Sequence, residues 1–260
     1  MSLYAWVILL SFAGPFALSF DKKVAFFKEW RFVFIATLAV AVPFLIWDEL
    51  FTQWGVWGFN PNYLLKIYLG HLPLEEVLFF IVIPYNFIFI LKVIQAYFPN
   101  RNQKRIAPYF GFVFLTTSII WILLYSNNYY TFLATFLSAG LTILLRNKHW
   151  YQDFMWAYLL CLIPFFIVNG ILTGAATEAP IVWYSAKHII GWRMISIPFE
   201  DLYYNYSLLL PLTWMYFSLK NRNIVFKKLL PCTPNTQLVL KITCFPCVRT
   251  FSSPLHFVLP

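Results

Sequence analysis

The sequence predicts an all-α polytopic membrane protein of about seven transmembrane helices, arranged as two parallel three-helix repeats joined by a linker helix. Three observations predict it. Of 260 residues, 61% are hydrophobic and only 11% charged, whereas a soluble domain carries about a quarter charged residues to wet its surface. The apolar residues fall in blocks approaching the length of a bilayer span rather than in one-sided patterns. Finally, the connections between blocks alternate in charge. Together these exclude a soluble enzyme, a secreted disulfide scaffold and a disordered linker.

The blocks are Leu3–Phe20, Phe32–Trp47, Val77–Ala96, Phe110–Leu124, Tyr130–Leu145, Phe154–Ile171 and Phe199–Phe217. The first has no basic residue before it and no small-residue cleavage site, so it reads as a span and not as a cleavable signal. The second, fourth and fifth are short, and flanking Trp and Tyr extend them into the interface. Basic residues follow the odd-numbered spans: Lys22, Lys23, Lys28 and Arg31; Arg101, Lys104 and Arg105; Arg146 and Lys148; Lys220, Arg222, Lys227 and Lys228. The other connections carry only Lys66, Lys187 and Arg193. The positive-inside rule then places the amino terminus outside and the carboxyl terminus in the cytoplasm of a bacterial inner membrane. The net charge of +9 is therefore an orientation signal and carries no implication of nucleic acid.

Seven of the ten acids, Asp48, Glu49, Glu75, Glu76, Glu178, Glu200 and Asp201, lie on the opposite side, in the long connections or at the helix starts that follow them. Carboxylates contribute little to orientation, so they need another explanation. Shifting the chain by 125 positions aligns Phe59–Phe80 with Tyr184–Asn205, and Pro73-Leu74-Glu75-Glu76 falls on Pro198-Phe199-Glu200-Asp201. The repeat divides the chain into a first three-span unit (1–96), a linker with the fourth span (97–129), a second three-span unit (130–220) and a cytoplasmic tail (221–260).

A proline followed by carboxylates is also an ordinary helix start, because the missing N–H costs nothing there and negative charge suits the positive end of the helix dipole. Two features favour function. Each pair borders an apolar span, where an ionised side chain costs roughly 2.5–3.5 kcal/mol toward the bilayer centre, and the pair recurs at equivalent places. Four carboxyls, Glu75, Glu76, Glu200 and Asp201, cannot all ionise cheaply at the edge of a hydrophobic site. Such a set suits proton donation and removal without redox chemistry.

The run Gly55-Val56-Trp57-Gly58-Phe59-Asn60-Pro61, leading to Pro73-Leu74-Glu75-Glu76-Val77-Leu78-Phe79-Phe80, resembles the first half of the small integral-membrane lycopene β-cyclases. Asn169-Gly170-Ile171-Leu172-Thr173-Gly174, Gly191-Trp192-Arg193 and Ile197-Pro198-Phe199-Glu200-Asp201 resemble the second half, so the chain is similar to the fused form of a family also found as two subunits. The resemblance covers roughly residues 1–220. It implies an isomerase of carotenoid biosynthesis that converts the ψ-ends of lycopene into β-rings, giving γ-carotene and then β-carotene. Its candidate partners are lycopene, the lipid bilayer and other carotenoid-pathway enzymes.

The catalytic candidates are the four carboxyls. Phe79, Phe80, Tyr203 and Tyr204 start the same helices, and their π faces suit a carbocation. Asn60, Asn169 and Arg193 complete the substrate-binding set by the family pattern, which departs here at Tyr184-Ser185, where Ser185 aligns with Asn60. His71 and His188 are weaker candidates for a proton relay. With no G-x-G-x-x-G and no metal-ligand spacing in the spans, no cofactor is expected. The tail has Cys232, Cys244-Phe245-Pro246-Cys247 and His256, and a single C-x-x-C with one further Cys and a His is a weak zinc signal; Cys161 lies within a span.

A retinal-type photoreceptor would need a lysine in the last span, and Phe199–Phe217 has none. A proton-coupled transporter, or a related carotenoid-end hydratase or prenyltransferase, uses the same residue types.

Overall fold

A computed structural model describes residues 2–99 and 106–229, with side chains described as far as Asn223. Arg101, Lys104, Arg105 and the cysteines of the tail lie outside the described residues. The first compact unit, Met1–Lys220, carries the features below.

Seven α-helices follow in order among the described residues: α1 Leu3–Leu18, α2 Trp30–Gln53, α3 Leu74–Tyr97, α4 Ala107–Leu124, α5 Tyr129–Leu145, α6 Tyr151–Leu172 and α7 Glu200–Leu229. Helices α2 (with the 3-10 turn before it), α3, α4 and α6 are long and apolar enough to cross a membrane, while α1 and α5 are apolar but shorter. Their outward faces are apolar: Leu123 is 75% and Leu144 71% exposed, the reverse of a wetted surface and suited to lipid. Internal prolines stand in α1, α2, α3, α6 and α7, as neighbouring helices allow within membranes.

The helices differ from the sequence expectation at their acidic ends. Helix α2 runs six residues past Trp47, through Asp48 and Glu49, and α3 starts before Glu75. Charge marks the end of an apolar block in sequence, but a buried carboxyl with hydrogen-bond donors is no barrier to helix. Asp48 is 3% exposed and accepts a hydrogen bond of 2.6 Å from Trp57 Nε1.

Among the described residues six short strands cap this end of the bundle: β1 Trp57–Phe59, β2 Tyr68–Leu69, β3 Leu72–Pro73, β4 Val182–Tyr184, β5 Arg193–Met194 and β6 Ile197–Pro198. The hairpins β2–β3 and β5–β6 are copies at the 125-residue shift, with Tyr68 opposite Pro73 and Arg193 opposite Pro198. Their left-handed residues coincide as well: Lys66 (φ 61°) and Gly70 (φ 65°) against Gly191 (φ 90°) and Ile195 (φ 64°). Glycine adopts this region freely, and a β-branched Ile does so only at a cost of order 1–3 kcal/mol that surrounding structure must offset.

Strands β1 and β4 pair antiparallel, Trp57 with Tyr184, Gly58 with Trp183 and Phe59 with Val182. Each end residue thus faces the repeat equivalent of the other end, and Gly58 faces its own equivalent, so a pseudo-two-fold axis passes through that pair. A Cβ at Gly58 would collide with the Trp183 ring. This strand pair ties the repeats together directly over the acidic helix starts.

Candidate functional site

The two carboxyls of each acidic motif have different surroundings. Glu75 is fully buried, and its Oε1 accepts hydrogen bonds from Leu65 N and Ser2 Oγ, both 2.6 Å. In the second repeat Glu200 Oε1 accepts from Ile190 N at 2.6 Å and Thr131 Oγ1 at 2.7 Å. Leu65 and Ile190 are themselves 125 apart. Each glutamate therefore fastens the loop leading into its hairpin to the start of its helix, through one backbone and one hydroxyl donor.

The next residues face a cavity. Glu76 and Asp201 line one space of about 60 Å³, together with Asp48. Tyr4 donates to Glu76 Oε2 at 2.5 Å, and Tyr130 donates to Asp201 Oδ1 at 2.6 Å. Each tyrosine starts the first helix of its repeat, so these bonds are pseudo-symmetric too. Tyr184 donates to Asp201 Oδ2 at 3.1 Å, and Asn169 Nδ2 lies 3.4 Å from the same oxygen. Three carboxyls sharing so small a space would repel one another if all were ionised. Burial, then the charges of Asp201 and Glu76, hold the Tyr184 hydroxyl well above the ordinary tyrosine range, so it remains a proton-bearing donor at physiological pH.

Rings form much of the rest of the wall. Phe79, Tyr204, Trp57, Tyr130 and Tyr184 all line the cavity; Tyr130 stacks on Tyr184 at 5.8 Å, and Trp57 meets Tyr130 edge-on at 5.0 Å. The site thus brings three carboxyls and several π faces to one cavity.

Of the residues singled out in the sequence, Glu76, Asp201, Phe79, Tyr204 and Asn169 meet at this cavity. Glu75 and Glu200 sit just behind it as loop ties. Phe80, 1% exposed, packs in the bundle core, and Tyr203 donates to Thr117 Oγ1 at 2.9 Å on the α4 side. Asn60 accepts from Asn62 N and caps a short 3-10 turn. Arg193 is exposed and donates to the Ser196 carbonyl at 2.6 Å, with its guanidinium 6.0 Å from the Tyr184 ring. His71 pairs with Glu49 at 2.6 Å, and His188 stacks on Tyr129; neither lines the cavity. Among the described residues no group of three His, Cys, Asp or Glu is placed to hold a metal ion.

Sequence reasoning did not single out Tyr4, Asp48, Tyr130 or Tyr184 as site residues. Asp48 was visible as an acid at a span end. Tyr4 and Tyr130 carry a fainter signal, a tyrosine at the start of the first span of each repeat, which is hard to see among 16 tyrosines.

Comparison with curated proteins and with solved structures gives no match. A family model described as lycopene cyclase matches the chain over two segments, residues 1–94 and 127–219. These segments hold both hairpins, both acidic motifs and every residue that lines the carboxyl cavity. The chain belongs to the lycopene cyclase family.

Proposed function

We propose that this protein cyclises the ψ-ends of lycopene to β-rings, giving γ-carotene and then β-carotene, by acid–base chemistry at Glu76 and Asp201. The observation that carries the reading is the convergence of these two carboxyls, with Asp48, on one largely ring-lined cavity within a family of lycopene cyclases. One carboxylic acid adds its proton to the terminal double bond of the polyene. The resulting cation is captured by the nearby double bond, which closes the six-membered ring and moves the charge onto it. A carboxylate then removes a ring proton, leaving the ring double bond. One proton is gained and one lost, so the product is an isomer of the substrate and no electrons are transferred.

The tyrosines serve this chemistry by holding the carboxyls in place, since general acids and bases act only within hydrogen-bond reach. Phe79, Tyr204 and Trp57 stabilise the cation through their faces, each by about 0.5–2 kcal/mol. Glu75 and Glu200 are positioning residues that set the helix starts. The charge pattern supports putting this end of the bundle on the outer side of a bacterial inner membrane.

Expression in a lycopene-accumulating bacterial host, with chromatography of the pigments, tests the reading. Conversion of lycopene to bicyclic carotene is expected. Unchanged lycopene beside correctly inserted protein would overturn it, and a hydrated or prenylated acyclic product would assign the site to a related reaction.

A further inference from the structure

A second, larger cavity lies beside the first. It has a volume of about 460 Å³ and runs between α1, α3 and α6, with walls that include Val7, Leu10, Ile83, Ile90 and Pro164. Four side chains, Phe79, Phe165, Asn169 and Asn205, border both cavities. The larger space therefore leads to the carboxyls. Asn205 is 7% exposed, and its Nδ2 has no hydrogen-bond partner.

At the matching place beside the carboxyls in the other half, rings pack together. Helices α2 and α6 correspond through their internal prolines, Pro43 and Pro164, and their burial keeps that register: Val33, Ala36, Thr37 and Val40 are buried like Phe154, Ala157, Tyr158 and Cys161. In this register Asp48 matches Asn169, Phe44 matches Phe165 and Trp47 matches Val168. The shift of 125 between α3 and α7 matches Phe79 with Tyr204. Where the open half has Phe79, Phe165 and Val168, the closed half therefore has Tyr204, Phe44 and Trp47. Those rings pack together, Tyr204 lying 5.0 Å from Trp47 and 5.4 Å from Phe44 between centroids.

We propose that the α1–α3–α6 groove is the one binding groove for the linear polyene, holding half of the molecule with its end in the carboxyl cavity, so that the two ends react in separate binding events. The inference rests on the function proposed above. An apolar groove open to lipid could take any acyl chain, but this one ends at proton donors, which suits an unsaturated hydrocarbon terminus. From Phe79 to Ile90 the groove follows about 16 Å of helix, less than the extended polyene, so the second half remains among lipid until the molecule leaves and reverses.

The test uses the full chain carrying Glu76→Gln, produced in lycopene-accumulating cells and purified in detergent, with bound lycopene per protein read from visible absorbance. The parent is expected to retain lycopene. Adding Val168→Trp, which gives the open half the side chain of the closed half, is expected to lower bound lycopene at least tenfold, and Ile83→Trp on the opposite wall to do the same. Leu144→Trp, on the exposed face of α5 and in neither cavity wall, is expected to leave it within twofold. Monodisperse Val168→Trp or Ile83→Trp protein retaining parental amounts of pigment would overturn the proposal, as would a parent without pigment or equal loss in Leu144→Trp. A Glu76→Gln protein that binds lycopene, beside a wild type that forms no rings, would sink the cyclase reading and leave the groove standing.

Discussion

Each acidic motif sets two carboxyls side by side in the chain, and the fold gives them separate work. Successive residues on a helix point about 100° apart. That rotation turns Glu75 and Glu200 toward the loops before their hairpins and turns Glu76 and Asp201 toward the cavity. At the loops each glutamate accepts at Oε1 from a backbone N–H ten residues earlier and from a hydroxyl at the start of its repeat, Ser2 or Thr131. In the cavity tyrosines, with Asn169 and Trp57, hold the carboxyls while leaving space beside them. On the proposed function the first position of each pair shapes the site and the second reacts in it, although both are acids in the same two motifs.

The largest expected effect comes from Asp201→Asn. The amide keeps the volume and can still accept from Tyr130, but it neither gives nor takes a proton under these conditions. Ring formation per folded protein should fall by about a hundredfold or more, as the loss of a general acid or base does, with insertion unchanged. Turnover within tenfold of wild type would place the chemistry on another group.

This division was only partly legible in the sequence. The helical membrane class followed from block length and scarce charge, and the repeat from the acidic motifs at a shift of 125. Both depend on properties that survive averaging over a segment. Which of two adjacent carboxyls faces a cavity depends on the rotation of one helix against its neighbours, and no local pattern encodes it. Asp48 looked like the residue that ends a span because the donor that buries it, Trp57, comes nine positions later in a strand. Asn60 and Arg193 entered through the family pattern, which does not distinguish a residue touching substrate from one that shapes the loops around it. In the structure both make local bonds with Asn62 and Ser196.

A smaller effect, and one on stability more than chemistry, is expected from Glu200→Ala. It leaves the Ile190 N–H and the Thr131 hydroxyl without their acceptor, a cost of about 1–3 kcal/mol. Thermal unfolding in detergent should show a lower midpoint, while the protein that remains folded forms rings at a rate within tenfold of wild type. An unchanged midpoint with abolished turnover would move Glu200 from the loop into the reaction.

Tyr184→Phe removes one of the donors to Asp201 and leaves Tyr130 in place. Loss of about 1 kcal/mol from a single hydrogen bond corresponds to a rate about fivefold lower, read from initial rates on equal amounts of folded protein. No change would mean that Tyr130 alone fixes Asp201. The smallest effect belongs to Arg193→Ala, whose exposed bond to Ser196 is replaceable by water; turnover and midpoint should both stay near wild type, and a large fall in turnover would bring Arg193 into the site.

The separation of the two carboxyl positions is tested most directly by Glu76→Gln against Glu75→Gln, with ring formation from lycopene measured on equal amounts of folded protein in the same lipid. Glu76→Gln is predicted to be slower than Glu75→Gln by about tenfold or more, since only the former removes a proton-transferring group from the cavity. Equal rates in the two variants, or a slower Glu75→Gln, would contradict the assignment of chemistry to one position and loop anchoring to the other.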